Sequence, residues 1–173
     1  MDLKNYPITT HYGEIDSFHS TPHSGIDIAC KTGTKIIAQD DGIVTLTTDK
    51  WLGNTIRLKI KNGDIIIYGH LSEYKVYNNQ TIQAGDLLGL TGGAVGSKNS
   101  GRTTGEHVHV SVYSGGKLID PTPYLFNQQQ NSTYSLAFPI ILVLMLIITW
   151  KLRKIFFYSL MVFTLLLVIF ISS

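Results

Sequence analysis

Up to about residue 126 the chain alternates short apolar and polar runs, and beyond that point the alternation stops. The clearest period of two lies between Thr55 and Lys61, where Ile56, Leu58 and Ile60 alternate with Arg57, Lys59 and Lys61 as in a half-buried strand. Asn62 and Gly63 then supply the backbone for a tight turn, and Ile65 to Tyr68 runs back, so the pattern predicts a hairpin with His70 at its far end. Lys35 to Ala38 and Gly42 to Thr47 read as two strands around the turn at Asp40, Asp41 and Gly42. Thr81 to Leu90 reads as short strand material bent around Gly85. From Tyr6 to Thr21 the pattern is mostly irregular, and it leaves His11 and His19 as solvated loop residues. Gly105 to Val112 is the strand that carries most information. There His107, His109 and Ser111 point to one face while Val108, Val110 and Val112 point to the other. Many short strands, frequent glycine turns and no amphipathic helix predict an all-β domain over residues 1–127.

The rest of the chain has a different pattern. After a polar linker at 128–135 come two apolar blocks, 136–150 and 155–171, separated by a basic turn at 151–154. At 1.5 Å per residue these blocks reach roughly 22 and 26 Å, slightly under the ~30 Å hydrocarbon core of a bilayer. Tyr134, Trp150 and Tyr158 suit interfacial positions. The expectation is a C-terminal membrane anchor made of a pair of transmembrane helices, with the lipid bilayer as a partner. Composition supports the division, because all 16 glycines and all 12 acidic residues precede residue 121. The net charge of +2 combines −1 up to Thr133 with +3 from Lys151, Arg153 and Lys154. No basic patch argues for a nucleic-acid partner. Met1 to Ser20 has Asp2, Glu14 and Asp16 and no apolar run, so no secretory signal peptide is expected there. The single Cys30 follows Ile26, Ile28 and Ala29 and reads as a small core residue.

Chemistry-bearing residues cluster in three places. His23 and Asp27 stand four residues apart at the start of an apolar run, His70 closes the hairpin, and His107 and His109 share one strand face. Zinc in a hydrolytic site takes three protein ligands and keeps a fourth position for water. His23, Asp27 and one histidine of the pair would complete that set. Zinc lowers the pKa of its bound water toward ~7 and polarises a carbonyl. The two imidazoles left over could take the proton from that water or stabilise an oxyanion. The loop from Gly92 to Gly105 is rich in Gly, Ser, Thr and Asn, does not match phosphate-binding spacing, and reads as a flexible wall beside a groove.

His23 and Asp27, then Tyr68-Gly69-His70-Leu71, then Thr104-Gly105 followed by His107 and His109, occur in an order that resembles the M23 family of zinc metalloendopeptidases of the lysostaphin and LytM type. Leu52-Gly53-Asn54, the run from Ala84 to Gly89, and Ile119-Asp120-Pro121 add to the resemblance, which covers roughly Tyr6 to Leu125. It implies one Zn2+ per chain bound by His23, Asp27 and His109, with His70 and His107 as catalytic histidines. It also implies an antiparallel-sheet groove walled by loops around Asp16 to Thr21, Thr48 to Leu52, Ser72 to Asn79 and Ala94 to Thr104. The expected partner is a peptidoglycan peptide, cut in a cross-bridge or a stem. Where the family often has Phe and then an acid or amide after the His-x-His triplet, Val110 and Ser111 stand here. The competing reading is a non-catalytic zinc-containing module that binds or regulates the cell wall. A basic turn between two spans favours a cytoplasmic turn and a domain facing the peptidoglycan. A bacteriophage virion or lysis enzyme would reconcile that topology with the missing signal peptide.

Overall fold

A computed structural model describes residues 3–18, 21–126 and 147–162. The chain divides into two units, Met1–Gln128 and Gln129–Ser173. In the first unit a 3-10 turn at Leu3–Asn5 precedes strands β1 (Ile8–Thr10), β2 (Ile26–Ala29), β3 (Lys35–Ile37), β4 (Gly42–Asp49), β5 (Gly53–Ile60) and β6 (Ile65–Gly69). Then come β7 (Leu71–Tyr74), β8 (Thr81–Ile82), β9 (Leu87–Thr91), β10 (His107–Ser114), β11 (Lys117–Ile119) and a short helix α1 (Thr122–Phe126). The strands form an eight-stranded antiparallel sheet in the order β1-β2-β10-β6-β5-β4-β8 with β11 beside β10, and a three-stranded sheet in the order β3-β9-β7. The domain is therefore all-β, as its periodicity predicts.

Register explains how this sheet acquires one apolar and one chemical face. Across the large sheet Ile28 stands opposite Val108, Ile26 and Tyr68 opposite Val110, Ile66 opposite Val112, and Leu58 between Ile66 and Val44. Every one of these side chains is fully buried. They join Ile36, Leu71 and Leu88 of the small sheet in one core, to which Leu3 and Leu125 also belong. Each such aliphatic side chain contributes about 1.5–3 kcal/mol of burial free energy. That alignment commits the alternate positions to the opposite face, which places His109 between Asp27 and Gly69.

The hairpin around Asn62 and Gly63 forms as β5 and β6, and Cys30 is a buried core residue. β3 and β4 exist but do not pair with each other, since β3 joins β9 in the small sheet and β4 joins β5 in the large one. Ile8–Thr10 is a strand within the stretch expected to be irregular, and it is held by pairing to β2 rather than by its own pattern. His11 is exposed as expected, whereas His19 lies outside the described residues.

In the C-terminal unit residues 147–162 form one helix, α2, that runs through the expected basic turn at 151–154. Lys151, Leu152, Arg153 and Lys154 are all good helix formers, and no glycine or proline interrupts them. Two helices broken at that point are thus not what the described residues form. No helix among them is long and apolar enough to cross a membrane. The expected linker at 128–135, the first part of the first span (136–146) and the last part of the second (163–171) lie outside the described residues.

The approach of β2 to β10 depends on Gly25. A Cβ there would lie 2.2 Å from the Val110 carbonyl oxygen and 2.8 Å from Nε2 of His109. Gly25→Ala should therefore destabilise the domain by roughly 1–3 kcal/mol, the usual cost of forced overpacking. Thermal unfolding would show it as a lowered Tm, and an unchanged Tm would disprove this account of the strand contact.

Candidate active site

The chemical face of β10 opens into a groove of about 720 Å³. His23, Asp27, His70, His107 and His109 all line it. Asp27 reaches His109 because β2 and β10 pair in register, and Asp27 Oδ1 lies 2.9 Å from His109 Nδ1. His23 Nε2 lies 3.1 Å from His109 Nδ1 and 3.3 Å from Asp27 Oδ1. His23 precedes β2 and is held by two backbone bonds, from its N–H to the Glu14 carbonyl and from the Gly13 N–H to its own carbonyl. Its Nδ1 lies 3.3 Å from the His11 carbonyl oxygen, so an Nδ1–H donates there and leaves the Nε2 lone pair facing the cluster.

These three side chains are buried and their donor atoms converge within 4.8 Å. Ligands ~2.0–2.2 Å from a tetrahedral zinc stand about 3.3–3.6 Å from one another. The three distances here fall at or a few tenths below that spacing, so the donor set of two imidazoles and a carboxylate fits one such ion. The three groups also shift one another's protonation. Burial works against ionisation of Asp27, but the imidazoles of His109 and His23 outweigh it and hold the carboxyl well below its usual range. Burial likewise opposes charge on His23, yet Asp27 raises its pKa above 6.5. On His109 burial dominates and lowers the pKa.

His70 and His107 stand beside the cluster with ring centroids 4.6 Å apart. His70 is the link between β6 of the large sheet and β7 of the small one, and it adopts a left-handed backbone conformation with φ 58°. Its Nδ1–H donates to the Ser100 carbonyl at 2.7 Å, which leaves Nε2 as an acceptor. Burial pushes its pKa down to about 4, helped by the nearby imidazoles of His107 and His109. His107 is oriented in the same way, by donation from Nδ1–H to the Gly105 carbonyl at 2.8 Å. Its Nε2 lies 3.7 Å from Asp27 Oδ1.

The walls of the groove match expectation in part. Asp16, Phe18 and Thr21, then Trp51 and Leu52, then Arg102 and Thr104 line it, but among the described lining residues none comes from 72–79. The turn at His70 carries β7 into the small sheet, where it pairs with β9 and leaves the groove. The 92–105 loop is also more than a loose wall. Thr103 Oγ1 donates to the Gly93 carbonyl, Ser100 Oγ to the Ser97 carbonyl, and the Asn54 N–H to the Asn99 carbonyl. Gly53, at φ 62°, lets this loop approach, since a Cβ there would lie 2.1 Å from the Asn99 oxygen. The orienting carbonyls of His11, Ser100 and Gly105 were not legible as site groups, because a backbone oxygen leaves no mark in a sequence.

Residues 21–121 match the model of peptidase family M23. The chain belongs to that family. This M23 peptidase is 32% identical over 100 residues to the peptidoglycan DD-endopeptidase ShyA of Vibrio cholerae, covering 57% of this chain and 22% of ShyA. It thus spans about a fifth of the length of the curated relatives it first matches. Among solved structures, the catalytic domain of lysostaphin from Staphylococcus simulans, an antimicrobial peptidase, superposes with a TM-score of 0.62 at 27% identity, covering 71% of this chain and 94% of that one. A catalytic-domain variant of EnpA, a prophage-encoded M23 protein from Enterococcus faecalis, superposes with a TM-score of 0.58 at 30% identity, covering 68% and 89%. The M23 domain is a metallopeptidase domain, and its antiparallel sheet has the lysostaphin architecture.

In an NMR titration of the metal-free protein, His23 should gain its proton above pH 6.5 and His70 only near pH 4. An unfolded His70 would already be protonated below ~6.5, so its burial should make stability fall as pH drops from there toward 4. Titration of both rings together near 6.5 would contradict the site electrostatics described.

Proposed function

We propose that this M23 peptidase is a zinc-dependent endopeptidase that hydrolyses peptide bonds in bacterial peptidoglycan, in a cross-bridge or a stem peptide. His23, Asp27 and His109 would bind the zinc, and His70 and His107 would be the catalytic histidines. The observation that carries this reading is the convergence of three buried donors with two further imidazoles, both oriented by backbone carbonyls, in one groove. ShyA, named as a peptidoglycan DD-endopeptidase, supports the substrate class.

A zinc ion in this site supplies Lewis acidity, acidifying a water and polarising the scissile carbonyl. The chain's own residues do the rest. Because both Nδ1–H groups are committed to carbonyls, the Nε2 lone pairs of His70 and His107 are the available acceptors on the groove. The low pKa of His70 keeps it neutral at pH 7 and able to accept. One imidazole takes a proton at Nε2 as water attacks and returns it to the departing amine, and the second accepts a hydrogen bond at Nε2 that orients the water or the amine. A non-catalytic wall-binding module would need the three-donor cluster but would leave His70 and His107 without a task.

The finer reading extends to location. We infer that the C-terminal unit anchors the domain to a membrane, with the domain facing the peptidoglycan. Supporting this, Ile148, Trp150, Ile155, Phe156 and Phe157 of α2 are all exposed, among Lys151, Arg153 and Lys154. A phage virion or lysis role is compatible with the prophage origin of EnpA.

Purified protein should release new amino groups from isolated peptidoglycan, and a zinc chelator should stop that release. His70→Ala and His107→Ala should each lower kcat by about 10²–10⁴ with zinc content unchanged, whereas His109→Ala should lose the metal. Full activity in either of the first two variants would exclude the assigned roles. Zinc affinity should also weaken as pH falls through the raised pKa of His23, because the proton competes with the ion for that nitrogen. For the anchor, the full chain should sediment with membranes after a high-salt wash while a chain ending at residue 128 should not. Equal partitioning of the two would remove the anchor.

A further inference from the structure

The groove carries one cation that the proposed chemistry does not use. Arg102 is the only lysine or arginine among the described lining residues, which include the acids Asp16, Asp27 and Glu106. Glu106 is engaged elsewhere, accepting from the Thr32 N–H and from Lys31. Arg102 is held by two separate walls. Its backbone N–H donates to the Trp51 carbonyl at 2.9 Å, and its Nη2 donates to the Phe18 carbonyl at 3.2 Å. Its guanidinium carbon lies 4.5 Å from the centroid of the Phe18 ring and 5.9 Å from that of Trp51. Trp51 is itself fastened through its main chain, because its backbone N–H donates to Asp49 Oδ1 at 2.7 Å.

These contacts orient the guanidinium without neutralising it. The head group has five N–H donors and gives one to a carbonyl, and none of the ion pairs among the described residues involves it. Aromatic faces on a guanidinium reduce its hydration and restrict its plane, which favours a planar, two-pronged anion over a neutral amide. Among the described lining residues the other formal side-chain charges are negative, so Arg102 is the cation they offer a substrate carboxylate.

We propose that Arg102 recognises a free carboxylate on the peptide, so that the domain selects wall peptides in which a carboxyl beside the cleaved segment is ionised over those in which it is amidated. This deepens the peptidoglycan reading and rests on it for the substrate class. A purely structural Arg102, strapping the Phe18 and Trp51 loops together, would affect both kinds of peptide equally.

The test uses the full chain with Trp150→Phe, so that Trp51 is the only indole of the two in the sequence. The probes are two synthetic stem pentapeptides capped at the C-terminus and differing only in the D-glutamyl α-carboxyl, free in one and amidated in the other. Binding is read from Trp51 fluorescence and cleavage from released amines. The free acid should bind about tenfold more tightly, the range expected of a charge-assisted hydrogen-bonded pair. Arg102→Gln should bring that ratio to about one, and Arg102→Lys should restore part of it. Equal affinity for both peptides in the parent protein would overturn the proposal, and so would a preference that survives Arg102→Gln or an equal loss on both peptides. Binding is read without turnover, so an intact Arg102-dependent preference with neither peptide cleaved would support this proposal and count against the endopeptidase reading instead.

Discussion

The pairing of β2 with β10 is the constraint on which the rest of the site depends. With Ile28 opposite Val108 and Ile26 opposite Val110, Asp27 has nowhere to stand except opposite His109. A slip of β10 by one residue would turn His109 into the core, away from Asp27, and the valines into the groove. The fully buried Val108, Val110 and Val112 prevent that slip, since exposing them would cost several kcal/mol. Apolar packing on one face of the sheet thus holds the register that brings a carboxylate and an imidazole to within 2.9 Å on the other.

Backbone carbonyls set the chemistry of the imidazoles that this register collects. His23, His70 and His107 each direct Nδ1 at a carbonyl, from His11, Ser100 and Gly105 respectively, and so each presents Nε2 to the groove. A carbonyl only accepts, so it selects the tautomer that carries the proton on Nδ1. Glycines make this possible where chains run close together. Gly25 lets β2 approach β10, and Gly53 lets the 99–101 segment come near enough to hold His70 through Ser100. The left-handed backbone of His70 serves the same end, because it ends one sheet, starts the other and turns an imidazole onto the groove between them.

Arg102 shows how the walls differ from the floor. The floor residues are buried and bound to strands, whereas Arg102 sits on a loop and draws its orientation from Phe18 and Trp51. Loops of this kind tolerate change without disturbing the core, so the groove can alter what it accepts while its buried cluster stays as it is.

The sequence alone determined the strand class and the hairpin through Asn62 and Gly63, because alternation and spacing are local properties of a strand, and it marked as candidates His23, Asp27, His70, His107 and His109, which the fold brings to one groove. It also marked the change of character of the tail, since all glycine and acidic residues precede residue 121. Other features arise from contacts between distant segments. That β3 and β4 belong to different sheets, that β1 forms at all, and that 72–79 leaves the groove follow from pairings 15 to 55 residues apart along the chain, for which local pattern has no signal. The continuous helix over 147–162 reversed the reading of a basic turn, since Lys and Arg mark charge but do not break a helix. Only the tertiary structure could decide the orientation of each imidazole, because the groups that fix it are backbone oxygens whose position depends on how the whole chain folds.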